Sequence, residues 1–170
     1  MKRNKENLQD LNERLVLAFL QFRLNRLMHN LVEGKIWHDS RIMWITILRS
    51  LEQAYLQGLA NIVIKPSKNF PSQISVHTFI NNFKSKYPDT IAKLKVVRNK
   101  SLSHIDSKKS ILKTLGLTPN EMEYLFKEVI DAFQNLSEEF TMPHVGLYLQ
   151  IQTGYLEMQI RRAITKLSDQ

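Results

Sequence analysis

Apolar residues recur at helical spacing along most of this chain. From residue 7 to 32, Leu8, Leu11, Leu15, Phe19 and Phe22 line one face, and Leu17, Leu20, Leu24, Leu27 and Leu31 fill the neighbouring stripe. A face that wide predicts a first helix touching more than one neighbour, ended by Gly34. Asp39 and Ser40 are good caps for a second helix to about residue 63. It carries two seams, Trp44, Ile47, Leu51, Ala54 and Gly58 on one side and Ile45, Leu48, Tyr55, Leu59 and Ile62 on the other, which predicts a central helix. Residues 65–73, with Pro66 and Pro71, read as a loop.

Ser75 is suited to cap a third helix carrying Val76, Phe79, Ile80 and Phe83, stopping at Tyr87 because the residue before a proline is pushed out of the helical region. Pro88 and Asp89 suit the first turn of a fourth helix. Its stripe runs Ile91, Leu94, Arg98, Ser101, Ile105, so an arginine falls where an apolar residue is expected. After a looser stretch over residues 107–117, with a turn at Gly116, Thr118, Pro119 and Glu121 form a proline-opened capping box. The fifth helix that follows should bury Met122, Leu125, Val129, Phe133, Leu136 and Phe140. Beyond Pro143 a sixth, amphipathic helix spans about residues 145–167. The expectation is an all-α, up-and-down bundle of five to six helices forming a single domain over residues 1–170.

Composition agrees with helices and narrows the chemistry. Five glycines and five prolines in 170 residues are too few for a turn-dense sandwich or barrel. There is no cysteine, so disulfides, thiol nucleophiles and cysteine zinc sites are excluded. The five histidines are scattered, HExxH is absent, and no glycine-rich phosphate loop occurs, which argues against a catalytic metal and against a nucleotide triphosphatase. No cofactor is expected. The longest apolar run, residues 15–20, is too short to cross a bilayer, and the charged start lacks a signal segment, so a soluble, cytoplasmic protein without a membrane partner is expected.

Locating the net charge of +8 changes the picture more. Residues 84–113 hold nine Lys/Arg against two Asp/Glu, whereas residues 114–170 hold four against eight. So focused a basic field suits a polyanion such as nucleic acid or a phosphate-bearing ligand, although a solvated lysine face has the same composition. At its centre is RNKSLSHID, residues 98–106. Arg98, flanked by Leu94 and Leu102, needs an anionic partner to offset its desolvation, either an outside anion or a carboxylate of the chain, such as one from the fifth helix, unless its long side chain snorkels outward. A histidine such as His104 is the side-chain type suited to giving and taking a proton at neutral pH, and Asp106 is close enough in sequence to orient it. Arg98 and His104 are six positions apart, about 240° around and about 9 Å along an ideal helix. They converge only if the helix breaks near residues 101–103, or if two subunits each contribute one.

This segment resembles the signature of the HEPN superfamily, an Arg followed after four to six residues by a His. Arg98, Asn99 and His104 match, with Ser103 as the small residue before the His and Asp106 completing the form found in HEPN proteins associated with phage abortive infection. The chain has Asp106 where some HEPN toxins carry a Tyr that a partner nucleotidyltransferase modifies. The resemblance implies a HEPN-like core over about residues 36–140 with flanking helices, and a homodimer whose two motifs face one another. It implies a metal-independent endoribonuclease, a toxin or anti-phage effector, together with an antitoxin or regulatory partner. In that picture His104 is the general acid or base, Arg98 stabilises charge on the phosphoryl oxygens, and Asn99 and Asp106 orient them. Lys93, Lys95, Lys100, Ser101, Lys108 and Lys109 hold the RNA backbone. The alternative implied by other members is a HEPN-like module that binds nucleotide or RNA without cutting it.

Overall fold

The computed structural model describes residues 2–31, 41–66, 74–80, 83–99, 110–139 and 145–168. Among these the chain is an all-α helical bundle with no strand. Its α-helices are α1 (Lys2–Leu31), α2 (Arg41–Val63), α3 (Pro88–Asn99), α4 (Ile111–Leu115), α5 (Pro119–Glu139) and α6 (Val145–Ser168), with a 3-10 turn at Val76–Thr78.

The periodic stripe of α1 is the inner face of the bundle: Leu8, Leu11, Leu15, Ala18 and Phe22 are buried, in steps of three and four. Asn25 continues the stripe as a polar residue, and its amide donates to the Leu48 carbonyl of α2 at 2.6 Å. Phe22 sits between Tyr55 of α2 and Phe126 of α5, with ring centroids 5.3 and 5.2 Å away. These tilted and edge-on contacts are the arrangements that aromatic quadrupoles favour. One contiguous cluster of buried side chains joins residues of all six helices, with Val76 of the 3-10 turn and Leu149 of α6 at its margins. Along α6, Leu149 and Thr153 face inward while Arg23 of α1 and Glu157 pair at 2.8 Å.

α2 is central, as its two seams predict. Its fully enclosed stripe is Tyr55, Leu56, Leu59, Ala60 and Ile62, while Gly58 on the other seam lets α1 approach closely. A Cβ on Gly58 would lie 3.0 Å from the Cβ of Ala18. The third predicted helix is not one. After the turn at Val76–Thr78, residues 83–87 have no regular structure. Val76, Phe79, Ile80 and Phe83 still pack on the core, because a tight turn followed by irregular chain delivers them inward as well as a helix would. The Ser75 N–H donates to the Thr78 hydroxyl at 3.1 Å, closing the turn on itself.

A short helix, α4, lies inside the stretch expected to be looser. Gly116 ends it at φ 60°, the left-handed conformation that glycine adopts without penalty. The predicted capping box of α5 forms in both directions: Glu121 N–H donates to the Thr118 hydroxyl at 3.2 Å, and Thr118 N–H donates to the Glu121 carboxylate at 2.6 Å. The bonds from Thr118 hold the Glu121 carboxyl below the usual carboxylate range. Phe140, expected in the core, lies outside the described residues. No described helix is long and apolar enough to cross a membrane.

Candidate nucleic-acid interface

α3 starts where the chain is pinned by α5: Glu128 accepts from the Ser85 hydroxyl and, at 2.7 Å, from the Lys86 N–H, and Ser85 Oγ accepts from the Tyr87 N–H at 2.9 Å. From there α3 turns Leu94 and Val97 fully into the core. Val97, not Arg98, therefore occupies the enclosed position of that turn, and Arg98 stands at its edge, half-buried. Its Nη1 donates to the backbone carbonyl of Lys65, just beyond the end of α2, at 2.9 Å. This neutral carbonyl is one acceptor for the guanidinium. Three acidic residues of α5 have roles elsewhere in the fold. Glu128 holds the start of α3, Glu123 pairs with Arg26 and Glu121 caps its own helix.

Of the other motif residues, Asn99 is the last residue of α3. Lys100, Ser101, His104, Asp106, Lys108 and Lys109 lie outside the described residues. Lys93 and Lys95, two positions apart, face different ways. Lys93 donates to the Gly116 carbonyl at 2.5 Å and lies 3.9 Å from Glu121, so it braces the α4–α5 turn. Lys95 is exposed and lines a cavity of about 470 Å³.

That cavity opens between the end of α2, the 3-10 turn and the start of α3. Lys65, Lys84, Lys95 and His77 are its ionisable lining residues, and Val63, Ile64, Phe83, Pro88 and Ile91 form its apolar wall. Among the described residues, no carboxylate lines it. The Nε2–H of His77 donates to the Val63 carbonyl at 3.1 Å, and the ring meets Phe83 edge to face at 6.0 Å. Lys65 both lines the cavity and receives Arg98 on its carbonyl, so the first residue of the motif is bonded to a lining residue without lining the cavity itself. Sequence reading found Lys95 from the basic run but missed Lys65, His77 and Lys84. The first two are separated from the motif by more than twenty positions, and only the return of the chain from α2 to α3 brings them beside it.

A second anchor lies on the far side of residues 100–109. Glu52, on the buried face of α2 and only 5 % exposed, accepts from the Ser110 hydroxyl at 2.5 Å, from Ile111 N–H at 2.8 Å and from Leu112 N–H at 3.2 Å. Arg98 and Ile111, on either side of the segment carrying the rest of the motif, are thus bonded to Lys65 just past the end of α2 and to Glu52 in its middle. Glu52 was missed as well, though it sits on the Leu48, Tyr55, Leu59 stripe, the same kind of signal that picked out Arg98.

Among the described residues no group of three or more His, Asp or Glu could hold a metal ion. No family model, no curated protein and no solved structure matches the chain.

Proposed function

We propose that the chain is an RNA-cleaving protein of HEPN type, a toxin or anti-phage effector that cuts by attack of the RNA 2′-hydroxyl at a site shared between two subunits. What supports this reading is the placement of Arg98, bonded to the backbone of Lys65, which lines a cavity whose ionisable lining among the described residues is basic. A polyanion drawn to that lysine-lined opening passes beside the first residue of RNKSLSHID. The internal nucleophile requires RNA rather than DNA. His104 then moves the proton and Arg98 steadies the developing charge on phosphorus-bound oxygen. Control of such an activity calls for a protein partner, and the acidic α5 offers a surface of opposite sign to the basic segment.

The test is cleavage of cellular RNA by the purified chain and by His104→Ala, in chelator. Wild type should leave 2′,3′-cyclic phosphate ends and His104→Ala should lose at least about a hundredfold in rate. Equal cleavage by both, or other product ends, would overturn this mechanism, and RNA left uncut by wild type would leave the non-cutting binding module as the reading that fits.

A further inference from the structure

The cavity beside Arg98 has the two halves that a nucleotide needs. We propose that it binds one nucleotide of an RNA strand, with the phosphate on Lys65, Lys84 and Lys95 and the unstacked base against Phe83, His77 and Ile91. This rests on the reading of the chain as an RNA-binding protein and adds to it where, and by which residues, the strand is held.

Size permits it, since about 470 Å³ lies within the roughly 300–1,000 Å³ of pockets that enclose small ligands. Charge favours it: the described lining carries three lysines and a histidine and no acid, so a bare apolar ligand would leave the cations unused. The wall argues against inorganic phosphate alone. Val63 and Ile64 are buried, Phe83 and Ile91 are half-buried, and together they present apolar surface beside the lysines, where a phosphate has nothing to contact. A base does, because single-stranded RNA is recognised by splaying bases onto aromatic side chains while the backbone follows a basic groove. His77 is fixed through Nε2 to Val63, so its Nδ1 is the remaining polar atom of a ring already set edge-on to Phe83. The cavity also has the right neighbour, for a strand leaving it meets Arg98 through the Lys65 backbone.

The test uses the full chain carrying His104→Ala, so that RNA survives the titration. The four nucleoside 5′-monophosphates, ribose 5-phosphate and a 5′-labelled RNA hexamer are titrated by calorimetry and anisotropy. At least one mononucleotide should bind about fivefold or more tightly than ribose 5-phosphate, the contribution expected of one stacked base. Lys65→Ala/Lys84→Ala should weaken both nucleotide and hexamer about tenfold and flatten the salt dependence of the hexamer by about 1.4 in log–log slope. Lys127→Ala/Lys166→Ala, which removes the same charge from α5 and α6, should change either by less than about twofold. Phe83→Leu should abolish the preference over ribose 5-phosphate and leave ribose 5-phosphate binding as it was. Equal losses in the two lysine pairs, ribose 5-phosphate binding as well as every nucleotide, or a hexamer that fails to bind where mononucleotides do, would each overturn the proposal. A chain that passes these titrations but never cuts RNA refutes only the nuclease reading, and one that cuts RNA but fails them refutes only the cavity.

Discussion

Glu52 shows how much one side chain holds in this fold. It sits on the enclosed face of α2, and its two oxygens take up one hydroxyl and two backbone N–H groups at the start of α4. Removing that acceptor leaves buried donors unpaired, each costing about 1–3 kcal/mol. Glu52→Ala should lower unfolding free energy in urea by about 3 kcal/mol, and Ser110→Ala, which keeps the carboxylate, by about 1 kcal/mol. A loss below about 1 kcal/mol for Glu52→Ala would mean the anchor is dispensable. Beside it, Tyr55 is fully buried and its hydroxyl has no hydrogen-bond partner among the described residues. Burial above all, then the Glu52 charge, pushes the Tyr55 hydroxyl well above the usual tyrosine range, partly opposed by Arg26. The unfolded chain releases this proton near pH 10 and the folded chain keeps it, so its contribution is complete below pH 10 and is lost as pH rises beyond. Between about pH 10 and 11.5, wild type should lose about 1.4 kcal/mol per pH unit more than Tyr55→Phe, while at pH 7 the two should differ by less than about 1 kcal/mol. Parallel pH profiles would refute the assignment. Arg98 was legible because a charge on an apolar stripe stands out, but its bond to Lys65 was not, since a backbone carbonyl leaves no mark in the pattern of side chains.

At the scale of elements, what could be read depended on length. α1, α2 and α5 run through several turns, and a stripe sustained that long defines a face. Four apolar residues from Val76 to Phe83 do not, because the core accepts them from a turn and irregular chain alike. α4, with five residues, is too short to show any period and exists through its ends, Glu52 holding the start and left-handed Gly116 the finish. Where α1 crosses α2, the sequence placed Gly58 in a seam without revealing what the glycine was for. The structure supplies the reason in the approach of Ala18. Alanine at position 58 gains helix propensity of about 1 kcal/mol, yet its methyl would stand 3.0 Å from that of Ala18, so the helices must part or shift. Gly58→Ala should cost about 1–2 kcal/mol net, and the double-mutant cycle with Ala18→Gly should show a favourable coupling of about 1 kcal/mol. Additive effects would place the close approach elsewhere.

Across the whole molecule the charge is divided, with the basic run at the α3 side and the acidic residues concentrated on α5. The bundle uses part of this division internally, pairing Arg23 and Arg26 of α1 with Glu157 and Glu123. Lys65, Lys84 and Lys95 lie together at a cavity with no acid among the described residues of its wall. A single chain offers Arg98 at that cavity, but six positions of straight helix would carry His104 about 240° around the axis, away from it. If two copies supply the missing partner to one another, each site takes Arg98 from one subunit and His104 from the other. Arg98→Ala and His104→Ala are then each inactive alone, and a mixture has a distinctive outcome. Subunit exchange at equal amounts makes half of the dimers mixed, and each mixed dimer holds one site with both residues intact and one with neither. RNA cleavage should return to about a quarter of the wild-type rate once exchange is complete, with the kinetics of exchange followed by native mass spectrometry. No recovery in a mixture shown to contain mixed dimers would place Arg98 and His104 of one site on the same chain, and would require the helix to break between them.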